Sequence, residues 1–525
     1  MKTFRSPSLP AELAARLRSI LDSAPAGDVR GTGPAHIAVA PWTGEELFTF
    51  PTATTPDVEA AVTDARAAQK VWGNTSFAER RRVFFRLHEA LRENEDTVLD
   101  LIQAENGKAR AHAYDEVMDL YNCARFYGQR AAHALRDERH RGALPVLTTT
   151  RTQYYPLGVV GLISPWNYPL SLGVGDVLAA LAAGNAVVHK PDSQTTLTAI
   201  YLRRLAIAAG LPAGAWQLVP GRGAEVGDAL VPLVDGLSFT GSTKVGKQLA
   251  AQAAERLIPA ILELGGKNPA LVLADAPASS TAPALVRTAF SSSGQLCMSA
   301  ERAYVHADVY DELVAELQQA LDREVLGASF TDAATIGTLT SARQLETVQR
   351  HVDDAVSKGA TVVYGGKARP ELGPFFFEPT ILEGVTEDME CYAAETFGPV
   401  LSLYKVNSDE EAIARANDTS YGLAASVWSG SERHAWNVAS RVEAGMVNIN
   451  EGFAAAYGSI AAPGGGVKES GLGHRHGETG LRLWSNERTV AAQRLHPLAP
   501  STLLPPERFR TLITTGMHVM KTLRL

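Results

Sequence analysis

Only three of the 525 residues are cysteines, Cys123, Cys297 and Cys391. Cys297 stands in FSSSGQLCMSAER (290–302), where serines, a glycine and an alanine leave space that bulky neighbours would fill. A thiol with space around it is suited to attack a carbonyl carbon, because sulfur is polarizable and partly ionised near neutral pH. The plain alternative is an inert, small core residue. Two glycine-bearing turns are candidates for phosphate. GRGAEVG (221–227) departs from the G-x-G-x-x-G spacing by one position. FTGSTKVG (239–246) follows an apolar run and opens a helix, so its backbone N–H groups can meet a phosphate. Ordinary turn glycine is the alternative for both. HRHGE (474–478) holds two histidines two apart and reads as a surface loop. No C-x-x-C and no His/Cys cluster occurs, so neither a metal nor a disulfide framework is expected.

Strands and helices in alternation must position these groups. A chain of this length calls for two or three domains. Residues 11–23, 56–72 and 77–105 have the apolar spacing of amphipathic helices. From residue 157, short apolar runs (GVVGLIS, NAVVHK, WQLVPG, DGLSFTG, IPAILELGG) alternate with helical segments. That alternation predicts a doubly wound, Rossmann-like dinucleotide domain over 1–140 and 156–264. A second alternating series predicts a second α/β domain over 265–475, with a helix near 280–296. LPVLTTTRTQYYP (144–156) and ERTVAAQRL (487–495) fall outside both series. They predict a β ribbon over 141–155 and 476–495 whose edges need a partner, hence a homodimer or homotetramer. The tail, 496–525, predicts an amphipathic helix with Phe509, Leu512, Ile513, Met517 and Met520 on one face beside Arg508, Arg510, Lys521 and Arg524. Docking on its own domain or on a neighbouring subunit is the first reading, contact with a membrane surface the second. The net charge of −8 argues against nucleic acid as a partner. The charged N-terminus and the few cysteines suit the cytoplasm.

Seven motifs then occur in one order: SPWNYP (164–169), HKPDSQT (189–195), FTGSTKVG (239–246), ELGGKNP (263–269), GQLC (294–297), ETFGPV (395–400) and GGVKESGLG (465–473). This series resembles the aldehyde dehydrogenase superfamily from about residue 35 to 490. The resemblance implies that Cys297 is the nucleophile. It implies that the Asn167 side chain and the backbone N–H of Cys297 hold the oxyanion, and that Glu263 activates the water that hydrolyses a thioester. A plain turn residue and a salt-bridge partner are the alternatives for Asn167 and Glu263. By the same match, Lys190 reaches the adenosine ribose or its 2′-phosphate, Trp166 and Gly241 line the cofactor groove, and Ser242 bonds the pyrophosphate. Glu395 and Phe397 hold the nicotinamide ribose and ring. Many NAD-preferring members have a glutamate where this chain has Ser193. A carboxylate there repels a 2′-phosphate and a hydroxyl can donate to it, so NADP is expected to serve at least as well as NAD. Lys244, in the first turn after the glycines, adds to that expectation, with a solvated surface lysine as its alternative.

Within the superfamily the chain looks most like a succinate-semialdehyde dehydrogenase group of actinobacteria. Better-studied members of that activity share two arginines at positions that are Gly175 and Ser291 here, and a carboxylate substrate needs such a cation. Gly175 is expected to widen the substrate tunnel and Tyr168, Ser291, Phe453 and Tyr457 to line it, while Arg302 could supply a cation from elsewhere. These residues favour an uncharged aromatic or medium-chain aldehyde as the alternative substrate. A CoA-acylating dehydrogenase and a non-catalytic scaffold are the rival readings. Glu263 counts against the first and the intact Cys297, Asn167 and Glu263 against the second.

Overall fold

The computed structural model describes residues 1–4, 11–22, 29–144, 147–494 and 497–522. Parts of the expectations at 11–23, 144–156, 487–495 and Arg524 lie outside the described residues. The chain divides into two compact units, one of Met1–Ala134 with Pro156–Ser485, the other of Leu135–Tyr155 with Asn486–Leu525.

Two sheets organise the first unit. The six-stranded sheet runs Gly471–Leu472, Ala260–Glu263, Gly236–Thr240, Val159–Ile163, Ala186–Lys190, Trp216–Leu218. All its pairings are parallel except the first. VVGLI, AVVHK and GLSFT are buried at every position. Strands covered on both faces need this unbroken apolar texture. The order of strands reverses between Gly236–Thr240 and Val159–Ile163, and ligands of open α/β sheets bind outside the carboxyl ends at such a point. Trp166, Asn167, Gly241 and Ser242 follow those two strands.

The seven-stranded sheet runs Thr361–Tyr364, Thr380–Glu383, Val400–Val406, Ala300–His306, Asn268–Val272, Ala424–Trp428, Met446–Ile449. Only the edge strand Thr361–Tyr364 is antiparallel. Helices cover both sheets. Phe77–Glu93 starts at a capping box, with the Glu79 carboxylate accepting from Ser76 N–H at 2.8 Å and the Ser76 hydroxyl accepting from Glu79 N–H. A separate helix, Glu95–Asn106, begins two residues after it ends. Arg110–Ala134, a 25-residue helix, was not anticipated from apolar spacing, because its buried stripe includes Glu116, Asp119 and Cys123.

The second unit holds a three-stranded sheet of Glu138–Arg141, Thr148–Pro156 and Ser485–Gln493, and the helix Pro506–Thr522. None of that helix's side chains is buried, while Phe509, Ile513 and Met520 on its apolar face are half-buried. Residues 476–485, expected in the ribbon, belong instead to the first unit, where Gly477–Arg482 is helical and Glu478 pairs with Arg130. Among the described residues, no helix is long and apolar enough to cross a membrane.

Candidate active site

Cys297 reaches its place through a turn that few sequences tolerate. The helix expected to run to 296 stops at Phe290. Ser292, Ser293 and Gly294 then follow with φ of 51°, 57° and 70°. Left-handed backbone costs about 1 kcal/mol or more at a residue with a Cβ, so the turn must be held. The Ser293 hydroxyl donates to Gly337 O at 2.8 Å, and Ser292 N–H donates to His112 Nδ1 at 3.1 Å. A Cβ on Gly294 would fall 2.0 Å from Gly398 O, so only glycine fits. Downstream, the Asn268 side chain donates to Cys297 O at 2.7 Å. The thiol remains partly exposed while Cys123 and Cys391 are buried.

Asn167 is buried and donates from Nδ2 to Gln295 O at 3.0 Å, two residues before the thiol. Its own carbonyl accepts from Lys108 Nζ at 2.6 Å. Lys108 also pairs with Glu116 at 2.6 Å, and both side chains are fully buried. The other Glu116 oxygen accepts from Leu170 N–H and Ser171 N–H. One buried ion pair therefore fixes both ends of the loop that carries Asn167. Burial pulls the Lys108 ammonium down and pushes the Glu116 carboxyl up, and each charge opposes the other's shift. Removing one partner of such a pair leaves an uncompensated buried charge, at a cost of about 3–5 kcal/mol. Lys108→Met is expected to lose that much stability in denaturant titrations, and Lys108→Met with Glu116→Leu to recover part of it. A Lys108→Met protein as stable as the parent would remove the pair from this account.

Glu263 closes the strand Ala260–Glu263 and is 7% exposed. Its Oε1 has no hydrogen-bond partner, and burial raises the carboxyl to about 8. The same burial, reinforced by the Glu263 and Glu395 carboxylates, pushes the Cys297 thiol up to about 12. The thiol is therefore neutral at rest.

A cavity of about 240 Å³ gathers Trp166, Asn167, Gly241, Ser242, Glu263, Cys297, Glu395 and Phe397. The buried pair Lys267–Glu301 sets the last two in place, since the Glu301 carboxylate accepts from Thr396 N–H and Phe397 N–H. Glu395 accepts from Gly266 N–H at 2.9 Å, and Trp166 meets Phe397 edge to face at 5.5 Å. Lys190 and Ser193 lie outside this cavity. Lys190 is buried with no ion pair among the described residues, and Ser193 Oγ donates to Gly221 O at 3.2 Å. Ser242 begins the helix Thr243–Glu255 without capping it, which leaves its hydroxyl for a ligand. A buried ammonium at the end of Ala186–Lys190 and a hydroxyl at a helix start just after Gly236–Thr240, both at the carboxyl ends of the sheet, suit an anionic dinucleotide. Lys244 is exposed.

A second, narrower opening of about 40 Å³ leads to Cys297 between Tyr168, Phe453 and Tyr457. Gly175 and Ser291 do not line it. A Cβ on Gly175 would be in ordinary contact with Cys123 Sγ at 3.8 Å and the Arg475 guanidinium at 3.9 Å. Ser291 bonds back to Arg287 O at 2.7 Å. Arg302 is buried against the carbonyls of Lys267 and Ala416 and lines neither opening. HRHGE is only in part the surface loop that its composition suggests, since His474 is exposed but the next two residues are not. Arg475 is 7% exposed and pairs with Asp176 at 2.7 Å, and His476 is buried against the Tyr457 ring. The ligating atoms of Asp119, Cys123 and His476 come within 4.8 Å of one another.

Residues 30–490 match the profile of the Aldehyde dehydrogenase family. A relative from Mycolicibacterium smegmatis, named provisionally as an NADP(+) succinate-semialdehyde dehydrogenase, is 48% identical over 87% of this chain and 89% of its own. Rat mitochondrial succinate-semialdehyde dehydrogenase is 36% identical over 84% of each chain. Among solved structures, an NAD-dependent aldehyde dehydrogenase from Sinorhizobium meliloti superposes with a TM-score of 0.88 at 31% identity, over 95% of this chain and 99% of that one. The NAD+ complex of a Bacillus cereus aldehyde dehydrogenase gives 0.87 at 32% identity, over 94% and 100%.

Proposed function

The chain belongs to the aldehyde dehydrogenase family, and on that footing we propose that Cys297, Asn167 and Glu263 together oxidise an aldehyde to its carboxylic acid. The observation that carries this reading is the meeting of all three side chains in one cavity with Glu395 and Phe397. The Cys297 sulfur bonds to the aldehyde carbon as its proton passes to the Glu263 carboxylate. Asn167 Nδ2 and the Cys297 N–H hold the negative oxygen that forms. A bound nicotinamide nucleotide supplies the two-electron acceptor. Loss of hydride from the former aldehyde carbon to that acceptor leaves a thioester on Cys297, and Glu263 gives its first proton up to solvent. Water then attacks the thioester carbon, Glu263 takes the water's proton, and the sulfur leaves with that proton returned to it. Acyl transfer to CoA in place of water is the rival outcome, and acyl-CoA formed on adding CoA would establish it.

NADP is proposed as the acceptor used at least as well as NAD. The M. smegmatis relative's name, the unpaired Lys190 ammonium and the Ser193 hydroxyl support this. Ser193→Glu is expected to lower the NADP/NAD ratio of kcat/KM by about tenfold or more, through like-charge repulsion with the 2′-phosphate. An unchanged ratio would remove Ser193 from cofactor choice.

For the substrate, the names of the relatives bring forward succinate semialdehyde. The tunnel favours a second reading, an aldehyde without a carboxylate, because no lysine or arginine lines it. An assay of succinate semialdehyde, benzaldehyde and hexanal decides between them. On the second reading, succinate semialdehyde does not exceed the other two in kcat/KM by about tenfold, and an advantage that large restores the first. Pairing of subunits through the three-stranded sheet is proposed as the use of its exposed edge.

A further inference from the structure

We propose that the tunnel to Cys297 selects aldehydes with an ammonium group at the end remote from the carbonyl, held by Asp119 with Asp115 at the mouth; this rests on Cys297 being the nucleophile. The helix Arg110–Ala134 turns Asp115, Asp119 and Asn122 to one face, and all three line the tunnel. Asp119 is 4% exposed, and beside it stand the Arg475 guanidinium and the Ser171 hydroxyl, neither of which gives its carboxyl oxygens a well-formed hydrogen bond. A buried carboxylate in that state is costly, and a ligand that brings N–H donors removes the cost.

The charges around the tunnel have the sign for such a ligand. At the mouth, Arg287 faces Asp115 at 3.6 Å and Glu451 at 3.1 Å. Deeper, Arg475 is held by Asp176 and lies near Asp119. Four carboxylates thus share two guanidiniums. Of the other titratable neighbours of Asp119, Glu116 is paired with Lys108, and burial keeps the His476 imidazole and the Cys123 thiol neutral. Burial raises Asp119 to about 7, so it is ionised in mildly alkaline solution. The Lys108 ammonium already covers the Tyr168 ring at 3.6 Å and the Arg287 guanidinium the Phe453 ring at 5.1 Å, which leaves the Tyr457 ring as an aromatic face that attracts an ammonium and not a carboxylate. A carboxylate-terminated aldehyde meets Asp119 with like charge.

The test compares 3-aminopropanal, its uncharged isostere butanal, and succinate semialdehyde, with saturating NADP+, at a pH about one unit above the Asp119 pKa. The expected order of kcat/KM is 3-aminopropanal about tenfold or more above butanal, with succinate semialdehyde lowest. Asp119→Asn is expected to bring the aminopropanal/butanal ratio to about one. Should that variant not fold, inhibition of the unaltered enzyme decides, with propylamine expected to compete against butanal at a Ki about tenfold below that of propionate. Butanal equal to 3-aminopropanal, a ratio unmoved by Asp119→Asn, or propionate binding as tightly as propylamine overturns the proposal. Oxidation of none of the three overturns the Cys297 reading instead.

Discussion

Cys297→Ala is expected to lose turnover by on the order of 10⁴-fold or more, while its NADP+ dissociation constant moves by no more than about twofold. No other sulfur stands ready to substitute, because Cys123 and Cys391 are buried. Nor would a hydroxyl serve. Burial already pushes the thiol to about 12, and an alcohol is a weaker acid still. Sulfur is usable there because Glu263, itself raised to about 8, is a base able to take the proton as the bond to carbon forms. Cys297→Ser is therefore expected to be nearly as inactive as the alanine variant. Steady-state rates report the loss, and quenching of protein fluorescence by added NADP+ reports binding. Unimpaired oxidation by Cys297→Ala would end the covalent mechanism. Loss of nucleotide binding along with activity would mean that the thiol organises the cavity rather than reacting in it.

The parts of this site that were legible in the sequence are the ones written in local patterns. Apolar runs such as VVGLI and AVVHK read as covered parallel strands, and the glycine turns after them marked where a nucleotide could lie. The ordered motifs placed Cys297, Asn167 and Glu263 in one reaction. What escaped depends on partners distant in the chain. Lys108 and Glu116 look like solvated charges until the Asn167 loop folds onto them. Arg475 and His476, in a string of charged residues, look exposed. They are buried because Gly471–Leu472 adds to the edge of the strand that ends in Glu263 and brings the residues after it into the core. Gly175 misled for the same reason. An absent side chain suggests tunnel space, but Gly175 faces Cys123 and an arginine some three hundred positions later and does not line the tunnel. Helix Arg110–Ala134 lacks a clean apolar stripe because two of its buried positions, Glu116 and Asp119, serve the loop and the tunnel.

Glu263→Gln is expected to separate the two halves of the reaction. The variant keeps the shape of the side chain and loses the base. Reduced nucleotide should appear in a first burst approaching one equivalent per site, after which steady turnover falls by about 10²–10⁴-fold. The thioester, no longer hydrolysed, should be trapped on Cys297 and be visible as added mass in acid-quenched protein. The pH dependence follows from the same carboxyl. Burial raises it to about 8, so below that pH most molecules hold Glu263 protonated and unable to accept from water. The turnover of the unaltered enzyme should therefore rise with pH and level off above about 8, and this inflection should be absent in Glu263→Gln. The neutral thiol at rest gives a further sign. If Glu263 also receives the Cys297 proton, the burst itself slows in the variant, and the ratio of its slowing to that of steady turnover divides the two roles. A Glu263→Gln protein with the parent's rate and the parent's pH profile would show that some other group activates the water.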